Sequence, residues 1–347
     1  MKKYLNKAII YKELKGSWWI ILTLLFIVTS DGYFQFRTLL DRVQYSDLIR
    51  SGATTIYDVS NYFTDARVFP LIFILLIIIS QTIMGADKKS DFERIAAMPF
   101  TRRETIISKL VTGELLLVIP LVLNFLMILS MYYYNYAIIH SSIKLWIIVK
   151  LLVLNLLNYS AILTFLMLIQ SIVGKKIAGS VLGLIFMFVP IGLPCLIAFV
   201  STMHLNNFNI AFSISDGSVE KIAGWLLVPF YNQLGMFRSM GYLTRVVILI
   251  CLISTFIALT YYSYKKNQFE RTGNVLMFSF LEPIFKIGVA VCFGLTGFVF
   301  IYGIGTDLIY RWNLQKSLIL FVSDIGIIVV GALAYFITNK YIKANRE

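Results

Sequence analysis

The sequence predicts an all-α membrane protein with about eight transmembrane helices and both termini in the cytoplasm. Three observations support this fold class: the composition, the spacing of the apolar runs and the distribution of basic residues. Of the 347 residues, 59% are hydrophobic and only 14% are charged, whereas a soluble domain carries roughly 25% charged residues. The composition therefore indicates a multi-pass chain that lies largely within a lipid bilayer.

Eight apolar runs are long enough to cross a bilayer, which takes about 20 residues. They lie near residues 17–36, 68–86, 107–132, 145–172, 178–200, 245–264, 285–304 and 316–337. The first run is the weakest, because it turns polar from Thr29 onward. Together the runs predict a single transmembrane domain over residues 1–347. The Pro190-Ile-Gly-Leu-Pro194 sequence predicts a kink in the fifth span.

Lysine and arginine residues predict the orientation, because cytoplasmic loops carry an excess of them. When the amino terminus is placed in the cytoplasm, 20 of the 31 basic residues lie on the cytoplasmic side. Acidic residues divide evenly between the two sides, so the net charge of +13 reflects topology and predicts no nucleic-acid partner. Two long segments, near residues 31–67 and 201–242, are expected on the outer side.

A dense polar stretch, KKSDFERIAAMPFTRRETIISKL, separates the second and third apolar runs and extends from Lys88 to Leu110. Pro99 disfavours helix at this point of the stretch. Thr101 and Glu104 have the spacing of a helix capping box. We therefore predict a short amphipathic helix near residues 91–97, a sharp turn, and a new helix that continues into the third span. The alternative is an ordinary cytoplasmic loop.

The order of these features resembles the permease subunits of ABC-2-type exporters. In that family a small-Leu-Pro-x-Ser/Thr-Arg pattern precedes a lysine at the foot of the third span. Ala97 to Arg102 and Lys109 occupy those places here, with Met98 where leucine is usual. The resemblance implies that this segment is a coupling helix that docks on a separate ATPase subunit. The residues expected to dock are Asp91, Phe92, Glu93, Arg94, Ile95, Met98, Pro99, Arg102 and Arg103.

A second stretch, KKNQFER from Lys265 to Arg271, repeats five of the seven residues that open the first stretch. The run from Tyr264 to Gly273 resembles a segment after a later span in an eight-span branch of these permeases from Gram-positive bacteria. Three explanations stay open: chance convergence on a basic span end, an internal four-plus-four duplication, and a second docking point. The residues of that second docking point are Phe269, Glu270 and Arg271.

The chain has no residue pattern that indicates catalysis or metal binding. Its nearest approach to a phosphate-binding loop, Val173 to Lys176, lacks the earlier glycine and the Ser/Thr of that loop. We therefore expect no enzyme activity and no cofactor on this chain, with ATP and Mg bound by separate ATPase subunits. His140 and His204 fall in different outer segments without ligand spacing, so no metal site is expected.

Polar side chains inside the spans are costly in hydrocarbon and usually face protein or a cavity. The sequence places four such residues there: Glu114, Asn155, Asn158 and Asp324. Glu114 is expected to pair with Lys109 or another nearby basic group, and Asn155 and Asn158 share one helical face. Hydrogen bonding between helices and a role in translocation both stay open for these residues.

The resemblance implies a transmembrane subunit of an ABC exporter in a bacterial cell membrane. Its implied partners are cytoplasmic ABC ATPase subunits, the lipid bilayer and a second permease, in a homodimer or a heterodimer with a sister permease. Two rival functions stay open: an ion-coupled secondary transporter or channel, and a membrane sensor or scaffold without transport. The transported substrate is not specified by the sequence.

Overall fold

A computed structural model describes residues 6–44, 68–85, 101–139, 143–205, 241–266, 277–278, 280–312 and 316–344. The structure is 94% helical and has no β-strand within these described residues. This confirms the predicted all-α class. Residues 45–67 and 206–240, which belong to the two segments expected on the outer side, lie outside the described residues, as do residues 86–100 and 267–276 of the two polar stretches.

Nine helices occur in the described part of the chain. They are α1 (Lys7–Gln44), α2 (Phe69–Gly85), α3 (Arg102–Tyr134), α4 (Tyr136–Ile139), α5 (Leu145–Ile172), α6 (Lys176–Leu205), α7 (Tyr242–Lys266), α8 (Leu281–Trp312) and α9 (Lys316–Ala344). Six of them, α1, α3, α5, α7, α8 and α9, are long and apolar enough to cross a membrane. The protein is therefore a multi-pass membrane protein.

Helix α6 is bent by 49° between Met187 and Gly192, and it makes a seventh candidate span if its two arms are one span. The bend coincides with the sequence from Pro190 to Pro194, in which two residues cannot donate a backbone hydrogen bond. This confirms the predicted kink in the fifth span. Helix α2 is apolar but only 17 residues long, at the lower limit for a span.

The observed helices extend beyond six of the eight predicted spans at one end or both, and the difference is largest for α1. Helix α1 begins at Lys7 and continues to Gln44, so it is longer than the predicted run at 17–36 in both directions. Asp31, predicted at the start of an outer segment, therefore lies within a helix. Helix α3 begins at Arg102, five residues before the predicted span, as expected for a helix that starts in the polar stretch.

The chain divides into two compact units, of which the first comprises residues 1–171 and 228–266. This unit contains helices α1 to α5 together with α7. Helix α5 is its most enclosed candidate span, with 61% of its most apolar window buried, against 17% for α7. Phe36 of α1, Ile128 and Tyr132 of α3, and Ile148 of α5 share one buried apolar cluster.

The second unit comprises residues 172–227 and 267–347 and contains α6, α8 and α9. Helices α8 and α9 pack closely through small residues, which let two helix backbones approach each other in membranes. A Cβ atom added at Gly294 of α8 would lie 2.8 Å from the Ile327 carbonyl oxygen of α9. The prediction of one transmembrane domain over the whole chain stays a prediction.

Candidate functional site

The amino-terminal end of α3 begins with the predicted capping box. Thr101 Oγ1 accepts a hydrogen bond from the Glu104 backbone N–H at 3.3 Å, and the Thr101 N–H donates to Glu104 Oε2 at 3.1 Å. These two bonds satisfy backbone donors that a helix start otherwise leaves without partners. The helix therefore begins sharply at Arg102, as the sequence predicted.

Lys109 ties this end of α3 to the carboxyl-terminal end of α2. Its side chain is fully buried, and its Nζ donates a hydrogen bond to the Ile83 carbonyl oxygen at 2.8 Å. The carbonyl groups in the last turn of a helix lack helical donors, and a cation at that position is favourable. Lys109 thus fixes the two helix ends on either side of residues 86–100.

Two more contacts bring helix ends together at the start of α3, from Thr101 to Lys109, which we call the foot of α3. The Asn6 N–H, at the start of α1, donates to Ser108 Oγ at 3.0 Å. Arg102 Nη1 lies 3.4 Å from the Lys265 carbonyl oxygen in the last turn of α7. The second of the two similar stretches starts at Lys265, so its first residue contacts Arg102 within the first stretch. Arg102 and Arg103 are themselves exposed.

The other residues expected to dock lie outside the described residues. They are Asp91, Phe92, Glu93, Arg94, Ile95, Met98 and Pro99 of the first stretch, and Phe269, Glu270 and Arg271 of the second. Their role stays a prediction.

Glu114 and Asn158 belong to a polar interior between α3 and α5. The Glu114 carboxylate accepts a hydrogen bond from Ser160 Oγ at 2.7 Å, instead of pairing with Lys109 as the sequence analysis considered. Asn158 is fully buried, and neither its amide oxygen nor its amide nitrogen has a hydrogen-bond partner among the described residues. The two predicted polar positions therefore lie inside the helix bundle of the first unit.

A cavity of about 60 Å³ lies in the same unit, between α1, α2, α3 and α5. Four polar side chains contribute to its wall: Asp31, Asn124, Asn155 and Tyr159. Asn155 was predicted as an intramembrane polar residue, and the structure places it in this wall. Asp31, Asn124 and Tyr159 were missed, because Asp31 was assigned to an outer segment and the other two are isolated in apolar runs. Asn124 interrupts the third apolar run, and this interruption was the available signal.

Asp324 pairs with His204 in the second unit. His204 Nε2 lies 3.1 Å from Asp324 Oδ2, and His204 Nδ1 lies 2.9 Å from the Val200 carbonyl oxygen. Since both ring nitrogens face acceptors, a doubly protonated imidazole satisfies this geometry. The His204 ring also stacks on Phe298 of α8 at 5.7 Å. His204 was predicted in an outer segment, but it lies in the last turn of α6.

The described residues contain no group of three or more His, Cys, Asp or Glu side chains placed to hold a metal ion. Comparison with known proteins adds no family assignment. No protein-family model, curated protein or solved structure matches the chain.

Proposed function

We propose that the chain is the transmembrane subunit of an ATP-binding-cassette exporter that couples ATP hydrolysis by separate subunits to substrate export. The observation that supports this proposal is the set of contacts that hold the foot of α3. The capping box at Thr101 and the buried Lys109 make a stiff corner next to residues 86–100. A stiff corner beside a polar segment suits an element that a partner protein pushes.

The proposed mechanism begins with closure of the ATPase subunits, which bind ATP and Mg. Closure displaces residues 91–98, and Lys109 transmits the displacement to α2 and α3 together. Helix α3 has 33 residues and is therefore about 50 Å long, which is enough to carry motion from the membrane surface to its far side. The spans would then alternate between inward-open and outward-open or lateral-release states, which requires a bistable element.

The proposed topology has eight spans with both termini in the cytoplasm of a bacterial cell. In this topology the six long helices would be joined as spans by the bent α6 and the short α2. A cysteine placed at Ser90 or Asn267 should be shielded from an impermeant thiol reagent added outside intact cells. A cysteine placed at Asp58 should react. Labelling at Ser90 from outside would overturn the orientation and, with it, the exporter function.

The proposed assembly contains two ATPase subunits and a second permease, either identical or a sister chain. If each permease docks one ATPase subunit, a complex with two ATPase subunits needs two permeases. The amino-acid sequence lacks a phosphate-binding loop, so the ATP-hydrolysing subunit is a separate polypeptide.

The deciding experiment substitutes Ile95 with aspartate, because an apolar anchor ringed by charges carries much of the binding energy of an interface. Loss of such an anchor costs about 2 kcal/mol or more of binding free energy. We therefore expect that the ATPase subunit no longer co-purifies with the Ile95→Asp permease. Ile138→Asp is the matched control: Ile138 is 42% exposed and lies beyond the opposite end of α3. Full retention of the ATPase by Ile95→Asp, with normal substrate-stimulated hydrolysis, would refute the docking assignment.

An ion-coupled transporter or channel is the second candidate function, and the polar cavity in the first unit favours it. The two candidates differ in their energy source. Transport by reconstituted protein that follows an imposed ion gradient without any ATPase would favour the second candidate. Transport that requires both MgATP and the ATPase subunit would favour the first.

A further inference from the structure

Lys150 is a cation in an otherwise apolar part of α5. It is the sixth residue of this helix, about 8 Å from the helix start along the axis. Within the described part of the chain its ammonium group makes no ion pair or hydrogen bond, and its electrostatic contacts are with two aromatic rings. We propose that Lys150 binds the phosphate group of an anionic phospholipid between the starts of α5 and α7. The proposal does not depend on the ATPase partnership.

The two aromatic rings hold the ammonium group from both helices. Lys150 Nζ lies 5.3 Å from the ring centroid of Trp146, one turn earlier on α5, and 5.2 Å from that of Tyr242, the first residue of α7. The face of an aromatic ring attracts a cation within about 6 Å, but the ring has no net charge. The rings therefore position the ammonium group without neutralising it, and its charge remains available to an anion.

Helices α5 and α7 begin on the same side of the bilayer. Leu154 of α5 and Leu249 of α7 share a buried apolar cluster, and near the other ends of these helices Ser263 Oγ lies 3.5 Å from the Ser171 carbonyl oxygen. The two helices are therefore parallel. Tryptophan and tyrosine are enriched at the membrane–water interface, where the phosphate groups of lipids lie, and the two aromatic residues place the ammonium group at this depth.

The charge around Lys150 favours an anionic ligand. Neither α5 nor α7 contains an aspartate or a glutamate, so these two helices supply no counterion. A charged side chain within a membrane helix is costly unless it is paired, and a lipid phosphate would offset that cost. A zwitterionic lipid offers the same phosphate with a cation attached, which opposes the lysine. The site should therefore prefer an anionic phospholipid.

The surface of α7 beside the site suits an acyl chain. Leu243, Val247 and Ile250 are exposed and have the spacing of one helical face, which begins one residue after Tyr242. A phospholipid bound at Lys150 would bury apolar surface along this face, and such burial is favourable in water and detergent. A free phosphate ion has no such contact, so we expect the lipid rather than the soluble ion to bind.

The experiment titrates the purified full-length protein in detergent with phosphatidylglycerol or phosphatidylcholine and counts bound lipids by native mass spectrometry. We expect the first phosphatidylglycerol to bind about fivefold more tightly than the first phosphatidylcholine, the factor expected from the attraction of two unit charges in contact in water. Glycerol phosphate, which has the headgroup charge but no acyl chains, should not displace the lipid at equal concentration. Displacement would assign the site to a soluble phosphate and overturn the lipid assignment.

Substitutions of Lys150 test the charge. Lys150→Gln should remove the preference for phosphatidylglycerol, while Lys150→Arg should keep it, because arginine is always charged and also stacks on aromatic rings. Lys144→Gln is the matched control, since Lys144 is an exposed lysine six positions earlier at the same end of α5, and it should leave the preference unchanged. Equal losses in Lys144→Gln and Lys150→Gln would show a general effect of positive charge and would overturn the proposal.

A second pair of variants keeps the proposal testable if Lys150→Gln does not fold. Trp146→Leu should weaken phosphatidylglycerol binding, because it removes one of the two rings that position the ammonium group. Trp18→Leu should not, since Trp18 is a comparably exposed tryptophan of α1 outside the site. Equal affinities of Trp146→Leu and Trp18→Leu would contradict the proposal, as would a parent protein that binds the two lipids equally.

Discussion

Lys109 should decide how firmly the end of α2 is held, and its substitution by methionine isolates that role. Methionine is similarly long and unbranched, but it cannot donate a hydrogen bond to the Ile83 carbonyl oxygen, which Lys109 Nζ reaches at 2.8 Å. A hydrogen bond to a charged group contributes about 1.5–3 kcal/mol. Burial of the methionine offsets part of this loss, so we expect the end of α2 to be destabilised by about 2 kcal/mol.

A destabilisation of this size raises the population of the locally opened state about 30-fold. The assay is the rate at which a small thiol reagent labels Met84→Cys, because Met84 is 5% exposed and adjoins the end of α2. The background chain carries alanine in place of the three native cysteines, which are all free. Labelling through a local opening follows the population of the open form, so Lys109→Met should accelerate it by about the same 30-fold.

The control for Lys109 is the same substitution at Lys286. Lys286 Nζ donates to Asn339 Oδ1 at 2.8 Å, a comparable contact in the second unit, and Lys286→Met should leave labelling at Met84→Cys unchanged. If Lys109→Met labels at the parental rate, Lys109 does not fix the end of α2. The exporter proposal would then lose the support that it takes from the stiff corner at the foot of α3.

Three further predictions concern a helix cap, a close helix contact and the pairing of His204 with Asp324. Thr101→Val should cost about 1 kcal/mol of stability by removing the helix cap, while Thr101→Ser keeps it, and equal melting temperatures for the two would contradict the prediction. Gly294→Ala should lower the melting temperature, because its Cβ atom would meet a backbone carbonyl of α9, whereas Gly288→Ala on the same helix meets nothing within 4 Å and should not. Asp324→Leu should cost about 0.6–1.7 kcal/mol, the range for hydrogen bonds between membrane helices. A double-mutant cycle with His204→Leu checks this, since additive losses would show that the two residues do not interact.

The fold class and the foot of α3 were predictable because both rest on local sequence. Apolar runs report burial in lipid directly. The capping box at Thr101 depends on residues three apart, and the kink near Pro190 depends on a missing backbone donor. The cap and the kink are each decided within about one helical turn, and an apolar run within a single helix, so no knowledge of the tertiary packing is needed.

The contacts of the polar residues were not predictable, because they depend on which helices become neighbours. Glu114 meets Ser160, which is 46 positions away in the sequence. His204 meets Asp324, which is 120 positions away. The length of α1 was also misjudged: the polar residues from Thr29 ended the predicted span, but Asp31 faces a cavity and the helix continues past it. A polar residue that faces protein does not end a membrane helix.

Pro120 connects the foot of α3 to the cavity in a way that the sequence analysis did not consider. It lies inside the helix, between Glu114 and the cavity residue Asn124. A proline there leaves the Leu116 carbonyl without its helical donor and weakens the helix at that turn. In the proposed mechanism, motion imposed at the foot of α3 would therefore bend the helix at Pro120 as it is carried along α3, and the bend would change the width of the cavity. If the exporter proposal holds, Pro120→Ala should leave co-purification of the ATPase intact and lower the amount of substrate transported per MgATP hydrolysed in reconstituted vesicles, and an unchanged ratio would contradict a role for Pro120 in the motion.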